Sequence, residues 1–331
     1  MKVSMIFAAA AAALIANSAQ AQMQTMCVFD LLGTQGDSYA LMKDYALASK
    51  QWGANIVLKP YPDERVAFED FKAGQCDAIS LSGMRARQFN SFVGSIDAIG
   101  AVPSNAAAKM IISLMANPKL APDMIQNGYE VAGVTSLGSA YIMVRDRRIN
   151  SLAKAAGIKF GVLDYDKAQS AMIQKIGAQP VSSDLMSIGG KFNNGQIDAL
   201  GMPALAFRPM ELYKGLGTKG AIFRFPVIHI TYDILIRPDK FPDGFGQKSR
   251  TWATTLIPRE FENISKTERS IDSKYWEELT ANDKLGYIKL MREARIDLTK
   301  QDIYNKKMMG LLKKVRCAQD PSSFECSLTG E

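Results

Sequence analysis

Phe71-Lys72-Ala73-Gly74-Gln75-Cys76-Asp77-Ala78-Ile79 and Phe192-Asn193-Asn194-Gly195-Gln196-Ile197-Asp198-Ala199-Leu200 share one pattern, F-x-x-G-Q-x-D-A-aliphatic, in different halves of the chain. Each copy predicts a helix closed by glycine at its C-terminal cap, a short turn, and an apolar strand entering a sheet. The likeness continues upstream. Cys27 to Leu32 reads as a buried strand, Tyr39 to Trp52 as a helix, and Gly53-Ala54 leads into a strand from Ile56 to Leu58. Phe160 to Leu163, Ala168 to Ile176 and Gly177-Ala178 repeat that order. Strand, helix, strand, helix, strand is the pattern of a parallel sheet with right-handed crossovers. The duplication therefore predicts an α/β fold of two lobes, each a mostly parallel sheet flanked by helices.

A chain with two such lobes must pass between them. Glu130 to Thr135 reads as a strand crossing to the second lobe. Phe223 to Ile236, with Ile228, Ile230 and Tyr232 alternating behind Pro226, reads as a strand crossing back. Two crossings imply a hinge. On this reading residues 22–135 form lobe 1, completed by about residues 225–250. Residues 136–224 form lobe 2, and residues 251–331 form a helical C-terminal segment packing on the lobes. In that segment Thr280-Ala281-Asn282-Asp283 supplies a capping start, and Leu285, Ile288, Leu290 and Met291 supply an apolar face.

The start of the chain reads as an address. Lys2, an apolar run from Met5 to Ile15, and the small-x-small triplet Ala19-Gln20-Ala21 predict a signal peptide over residues 1–21, cleaved after Ala21, and a periplasmic location. The run is shorter than the roughly 20 residues of a membrane-spanning helix. Cys27 follows Gln24-Thr25-Met26, without the small apolar residues that precede a lipidated cysteine, so no anchor is expected. Secretion places the four cysteines in an oxidising compartment. Cys317 and Cys326 flank a short segment containing Asp320-Pro321, which favours their pairing and leaves Cys27 and Cys76 to each other.

A chain of 331 residues suits two lobes better than one core, and 47% hydrophobic with 22% charged residues is globular material. Net charge is +7, or +6 without Lys2. Much of the excess lies near the end, at Lys306, Lys307, Lys313, Lys314 and Arg316, with few aromatics beside it, which speaks against nucleic acid as a partner. A monomer is expected.

Nor does the sequence offer an enzyme. There is one histidine and no CxxC, HExxH, phosphate loop or G-x-S-x-G elbow. His229, inside the apolar alternating run Val227 to Ile236, reads as a core or hinge residue. Leu137-Gly138-Ser139-Ala140 only echoes a nucleophile turn, with no second histidine to serve Ser139. Asp164 and Asp166 read as caps of a helix starting near Lys167 rather than as metal ligands, and no cofactor or metal is expected.

Binding chemistry has better material. Ligands of open α/β sheets sit outside the carboxyl ends of the strands. Those ends carry Thr34 and Gln35 after strand one, Ser80, Ser82 and Arg85 after strand three, Ser136 at the crossover, and Asp164 and Tyr165 in lobe 2. Arg87 and Arg208 stand sixteen residues after the motif phenylalanines, each placed to offer a guanidinium fork to a carboxylate or phosphate.

Gly157-Ile158-Lys159-Phe160, the helix after it, Ile176-Gly177-Ala178-Gln179-Pro180-Val181 and Phe192 to Asp198 together resemble the second-lobe core of the solute receptors of tripartite ATP-independent periplasmic (TRAP) transporters. Tyr61-Pro62 with Ala73 to Asp77 resembles the first-lobe counterpart, so the likeness covers about residues 25–240. Within that group the chain is most similar to the AdeT-like solute-binding proteins. The resemblance implies a two-lobed periplasmic binding protein (type II-like) that captures a small, acidic or amphipathic organic solute in an interlobe cleft. Its implied partners are that solute and inner-membrane transporter subunits. A receptor-like envelope protein without a transport role is the second reading.

Two departures from the family stand out. The arginine that usually follows G-x-K-x and grips the ligand carboxylate is Gly161 here, and an asparagine before a proline is Met202, ahead of Pro203. The expectation is a wider, less cationic site, walled by Tyr165, Met202 and Leu205, that binds simple dicarboxylates poorly. The polar end of a larger solute would then reach Gln35, Ser82, Arg85 or Arg208.

Overall fold

The computed structural model describes residues 23–331; the expected signal peptide and its cleavage site lie outside the described residues. The first copy of the repeat is β1 (Met23–Phe29), α1 (Asp37–Ser49), β2 (Asn55–Tyr61), α2 (Glu64–Lys72) and β3 (Ala78–Ser82). After it come α3 (Gly83–Ala86), α4 (Asn105–Leu114) and the long strand β4 (Tyr129–Val144). The second copy is β5 (Lys159–Leu163), α5 (Lys167–Lys175), β6 (Gln179–Ser183), α6 (Leu185–Asn193) and β7 (Ala199–Pro203). A second long strand, β8 (Ala221–Ile236), precedes the helices α7 (Phe245–Thr254), α8 (Ile257–Arg269), α9 (Ala281–Lys300) and α10 (Lys306–Gln319).

Eight of the sheet's ten strands lie side by side in the order β2-β1-β3-β8-β4-β7-β5-β6, and the two-residue strands Ile125–Gln126 and Trp276–Glu277 pair with β4 and β8. Within each copy the first strand sits between the second and third and pairs with both in parallel, so the duplicated sequence gives one topology twice. The two long strands join the halves. They pair antiparallel with each other from Glu130–Ile236 to Val144–Ala221. The end of β8 pairs with β3, and the end of β4 pairs with β7.

The repeat motif explains itself at atomic level. Gly74 and Gly195 have φ of 80° and 75°, the left-handed region that a side chain penalises. Phe71 and Phe192 are fully buried, each removal from water stabilising by roughly 1.5–3 kcal/mol. The aspartates tie strands together. Asp77 accepts the Thr25 N–H on its carboxylate at 2.9 Å and donates its own N–H to the Thr25 carbonyl at 2.8 Å. Asp198 makes the same two bonds to Lys159, at 2.8 and 2.7 Å. In both copies this locks the start of the third strand to the start of the first and fixes their parallel register.

Aspartate also starts the helices. Asp63 caps α2, Asp166 caps α5 and Asp184 caps α6, each accepting backbone N–H groups that the helix leaves unpaired. The capping role expected near Lys167 thus falls to Asp166. Disulfides join Cys27 to Cys76 and Cys317 to Cys326, the pairs read from the sequence, with Cα separations of 5.8 and 5.7 Å. Thr280 caps α9 as anticipated. Between α9 and α10, Arg295 and Arg316 are buried against Glu325 and Glu331 and donate to the carbonyls of Ile99 and Ala101, both at 3.0 Å. That network fastens the C-terminal segment to the first half. Among the described residues no helix is long and apolar enough to cross a membrane.

Candidate functional site

A mostly apolar cavity of about 490 Å³ opens where the carboxyl ends of β1, β3, β5 and β7 converge. Both copies wall it, with Asp30, Glu64 and Ser82 on one side and Tyr165, Met202 and Leu205 on the other. The middles of β4 and β8 form its floor. There the β4–β8 register slips between Ser136 and Gly138 and again between Ala140 and Tyr141. Such bulges interrupt the ladder and bend the strands where they pass between the halves.

The sequence-derived candidates divide. Ser82, Ser136, Tyr165 and Met202 line the cavity. Thr34 and Gln35 do not: they are exposed on the turn Gly33–Gln35, and the wall is made by their neighbours Asp30 and Leu32. Ser80 is buried in the sheet, its hydroxyl 2.8 Å from that of Tyr232. Asp164 is exposed. Arg208 is exposed as well and reaches the Ser270 carbonyl at 3.5 Å instead of the cavity.

Arg85 and Arg87 are each ion-paired and neither lines the cavity, although Arg87 Nη2 is buried without a hydrogen-bond partner. The Arg85 guanidinium lies 3.2 Å from Glu64 and stacks 3.7 Å from the Tyr165 ring. Arg87 pairs with Asp166 at 3.3 Å. Matching places in two repeats therefore gave opposite environments: Arg87 turns inward and Arg208 outward.

Gly161 also departs from expectation. Side chains alternate faces along a strand, and on β5 it is Phe160 and Val162 that face the cavity. A Cβ on Gly161 would point the other way, 2.5 Å from Ile197 and 3.2 Å from Ile188. Its lack of a side chain serves packing under α6 and does not widen the site.

Sequence reasoning missed Glu64, which lines the cavity in the first turn of α2. Its carboxylate accepts the Ser82 N–H at 2.8 Å, the Arg85 Nε–H at 3.2 Å and the Tyr165 hydroxyl at 3.3 Å. Burial pushes the Tyr165 hydroxyl well above its ordinary pKa, so it stays protonated and donates. Glu64 belongs to the first copy and Arg85 and Arg87 follow directly after it, while Tyr165 and Asp166 belong to the second. Their contacts bridge the cleft. The only advance signal was the position of Glu64, directly after a capping aspartate and the Tyr61-Pro62 pair.

Ser139 does meet a histidine, contrary to the sequence reading. The Ser136 hydroxyl lies 2.8 Å from His229 Nε2, and the Ser139 hydroxyl lies 3.4 Å from Nδ1. Gly138 N–H donates to Ser136 Oγ at 3.1 Å. Burial pulls the His229 pKa down to about 4, so the ring is neutral at pH 7. With a hydroxyl rather than a carboxylate on its far side, it is a weak base and pins β4 to β8.

Among the described residues of the wall, one buried carboxylate has no hydrogen-bond partner. Glu260 of α8 is 8% exposed, and neither carboxylate oxygen has a hydrogen-bond partner of acceptable geometry. Burial pushes its pKa up to about 8, offset in part by the nearby Ser136 amide and Thr135 hydroxyl. The wall's one basic side chain among the described residues is Arg259, half-exposed and paired with Asp44 at 2.9 Å.

Comparison with known proteins finds a matching family and a matching fold. The model of the family described as solute-binding protein AdeT 1/2 matches residues 46–331. The probable solute-binding protein AdeT1 of Acinetobacter baumannii is 53% identical over 304 residues, 92% of this chain and 100% of that protein. The probable solute-binding protein AdeT2 of the same organism is 27% identical over 237 residues, 72% of this chain and 100% of that one. A TRAP periplasmic solute-binding protein from Desulfovibrio salexigens, with bound orotic acid, superposes with a TM-score of 0.73 at 14% identity, covering 89% of this chain and 99% of that one. The last likeness concerns the fold.

Proposed function

We propose a solute receptor: the chain belongs to the solute-binding protein AdeT 1/2 family, and it captures a small organic solute between two lobes after export to the periplasm. The observation that carries this reading is the cavity itself, walled by the carboxyl ends of both duplicated sheets, where open α/β folds hold their ligands. Lobe 1 would comprise residues 22–135 with about 225–250, lobe 2 residues 136–224, and residues 251–331 would brace them. The solute would touch Ser82, Ser136, Tyr165 and Met202. A monomeric receptor of this kind would deliver its solute to inner-membrane transporter subunits, as its fold relatives' description as TRAP proteins suggests.

The register slips in β4 near Ser136 and Ala140 supply the hinge, and the Glu64–Tyr165 and Arg87–Asp166 contacts supply the closed-state latch. Small-angle scattering tests this. A solute that raises the melting temperature should lower the radius of gyration at saturation, whereas an unchanged radius would mean a fixed cleft.

A further inference from the structure

The charge of the solute follows from which wall groups are satisfied. Glu64 and Asp166 are neutralised by Arg85 and Arg87, Asp44 by Arg259, and Asp30 accepts the N–H groups of Leu32 and Tyr39. Glu268 accepts the Tyr141 hydroxyl at 2.8 Å. Glu260 alone among these is nine-tenths buried with both oxygens unpartnered. A buried ionised carboxylate without a partner is costly, and proteins pair such groups or protonate them. No unpaired basic side chain among the described residues lines the wall to receive an anion.

We propose that the solute is a cation, an ammonium or guanidinium group on an apolar body, and that Glu260 is its counter-ion. The proposal rests on the receptor reading and specifies the class of ligand. The body would lie along the apolar face formed by Phe160, Val162, Met172 and Ile228, and the cationic head would meet Glu260 beside Thr135 and Ser136. Burial raises the Glu260 pKa, and a cation beside the carboxylate would oppose that shift. Asp233 is equally unpartnered but lies outside the cavity wall, so no solute reaches it there.

The test is calorimetry on the full mature protein with two matched probes, n-octylamine and octanoate, and with n-octanol as the uncharged control. The amine should bind at least tenfold more tightly than either. Glu260→Gln should erase that preference while keeping or raising the melting temperature of the empty protein. The wild-type comparison stands even if the variant folds poorly. Equal or tighter binding of octanoate or octanol, or an amine affinity untouched by Glu260→Gln, overturns the proposal and leaves the receptor reading in place. Failure of all three probes to bind, in a protein that also carries no solute when purified, overturns both.

Discussion

Replacing Glu64 by alanine should lower the unfolding free energy by about 3–5 kcal/mol, the cost of stranding a buried charge. The stranded group is Arg85: its side chain is 6% exposed, Glu64 is its ion-pair partner, and the ring of Tyr165 prevents it from swinging out to water. The Ser82 N–H and the Tyr165 hydroxyl lose their acceptor in the same step. Urea unfolding measures the loss. Removing the stranded charge as well, in Glu64→Ala with Arg85→Met, should recover a large part of it, because residues that share a partner are not additive. The single variant should also bind solute more weakly, since Glu64 links the first copy of the repeat to the second. A loss below about 1 kcal/mol would place Glu64 among ordinary surface ion pairs and remove it from the latch.

Arg295→Ala should cost a similar amount, about 3–5 kcal/mol, although Arg295 itself does not line the cavity. Arg295 is 1% exposed and pairs with both Glu325 and Glu331, with Arg316 completing the cluster. Burial pushes the Glu331 carboxyl up, but Arg295 and Arg316 more than reverse this and hold it below its ordinary value. A depressed folded-state pKa gives stability that is present above the unfolded value and lost as pH falls through the folded one. The gap between wild type and Arg295→Ala should therefore be largest near neutrality and narrow in acid. Unfolding at several pH values, with hydrogen exchange on α9 and α10, checks both parts. A gap that ignores pH would mean that the guanidinium packs there but does not pair.

The architecture was legible because its determinants are local. The motif glycines, phenylalanines and aspartates set a helix end, a core contact and a strand register within nine residues, twice over. The disulfides followed from the proximity of one pair and the absence of other cysteines. The site was less legible because its chemistry depends on partners distant in the chain. Arg85 and Arg87 look like anion hooks until Glu64 and Asp166 are seen to occupy them. Gly161 looks like an opened clamp because a family position does not reveal the face of the strand. On β5 that parity placed Phe160 and Val162 toward the cavity and Gly161 toward Ile197. Glu260 carried no local signal. It lies in a helix whose position against β4 is a tertiary fact, and only its burial without a partner marks it.

Native mass spectrometry of freshly purified protein tests the central claim most directly. A receptor that holds a solute in a 490 Å³ cavity should arrive heavier than its own unfolded polypeptide by the mass of one small organic molecule, and it should lose that mass on unfolding. A folded protein that always weighs only as much as its chain, and whose melting temperature no added solute raises, would contradict it.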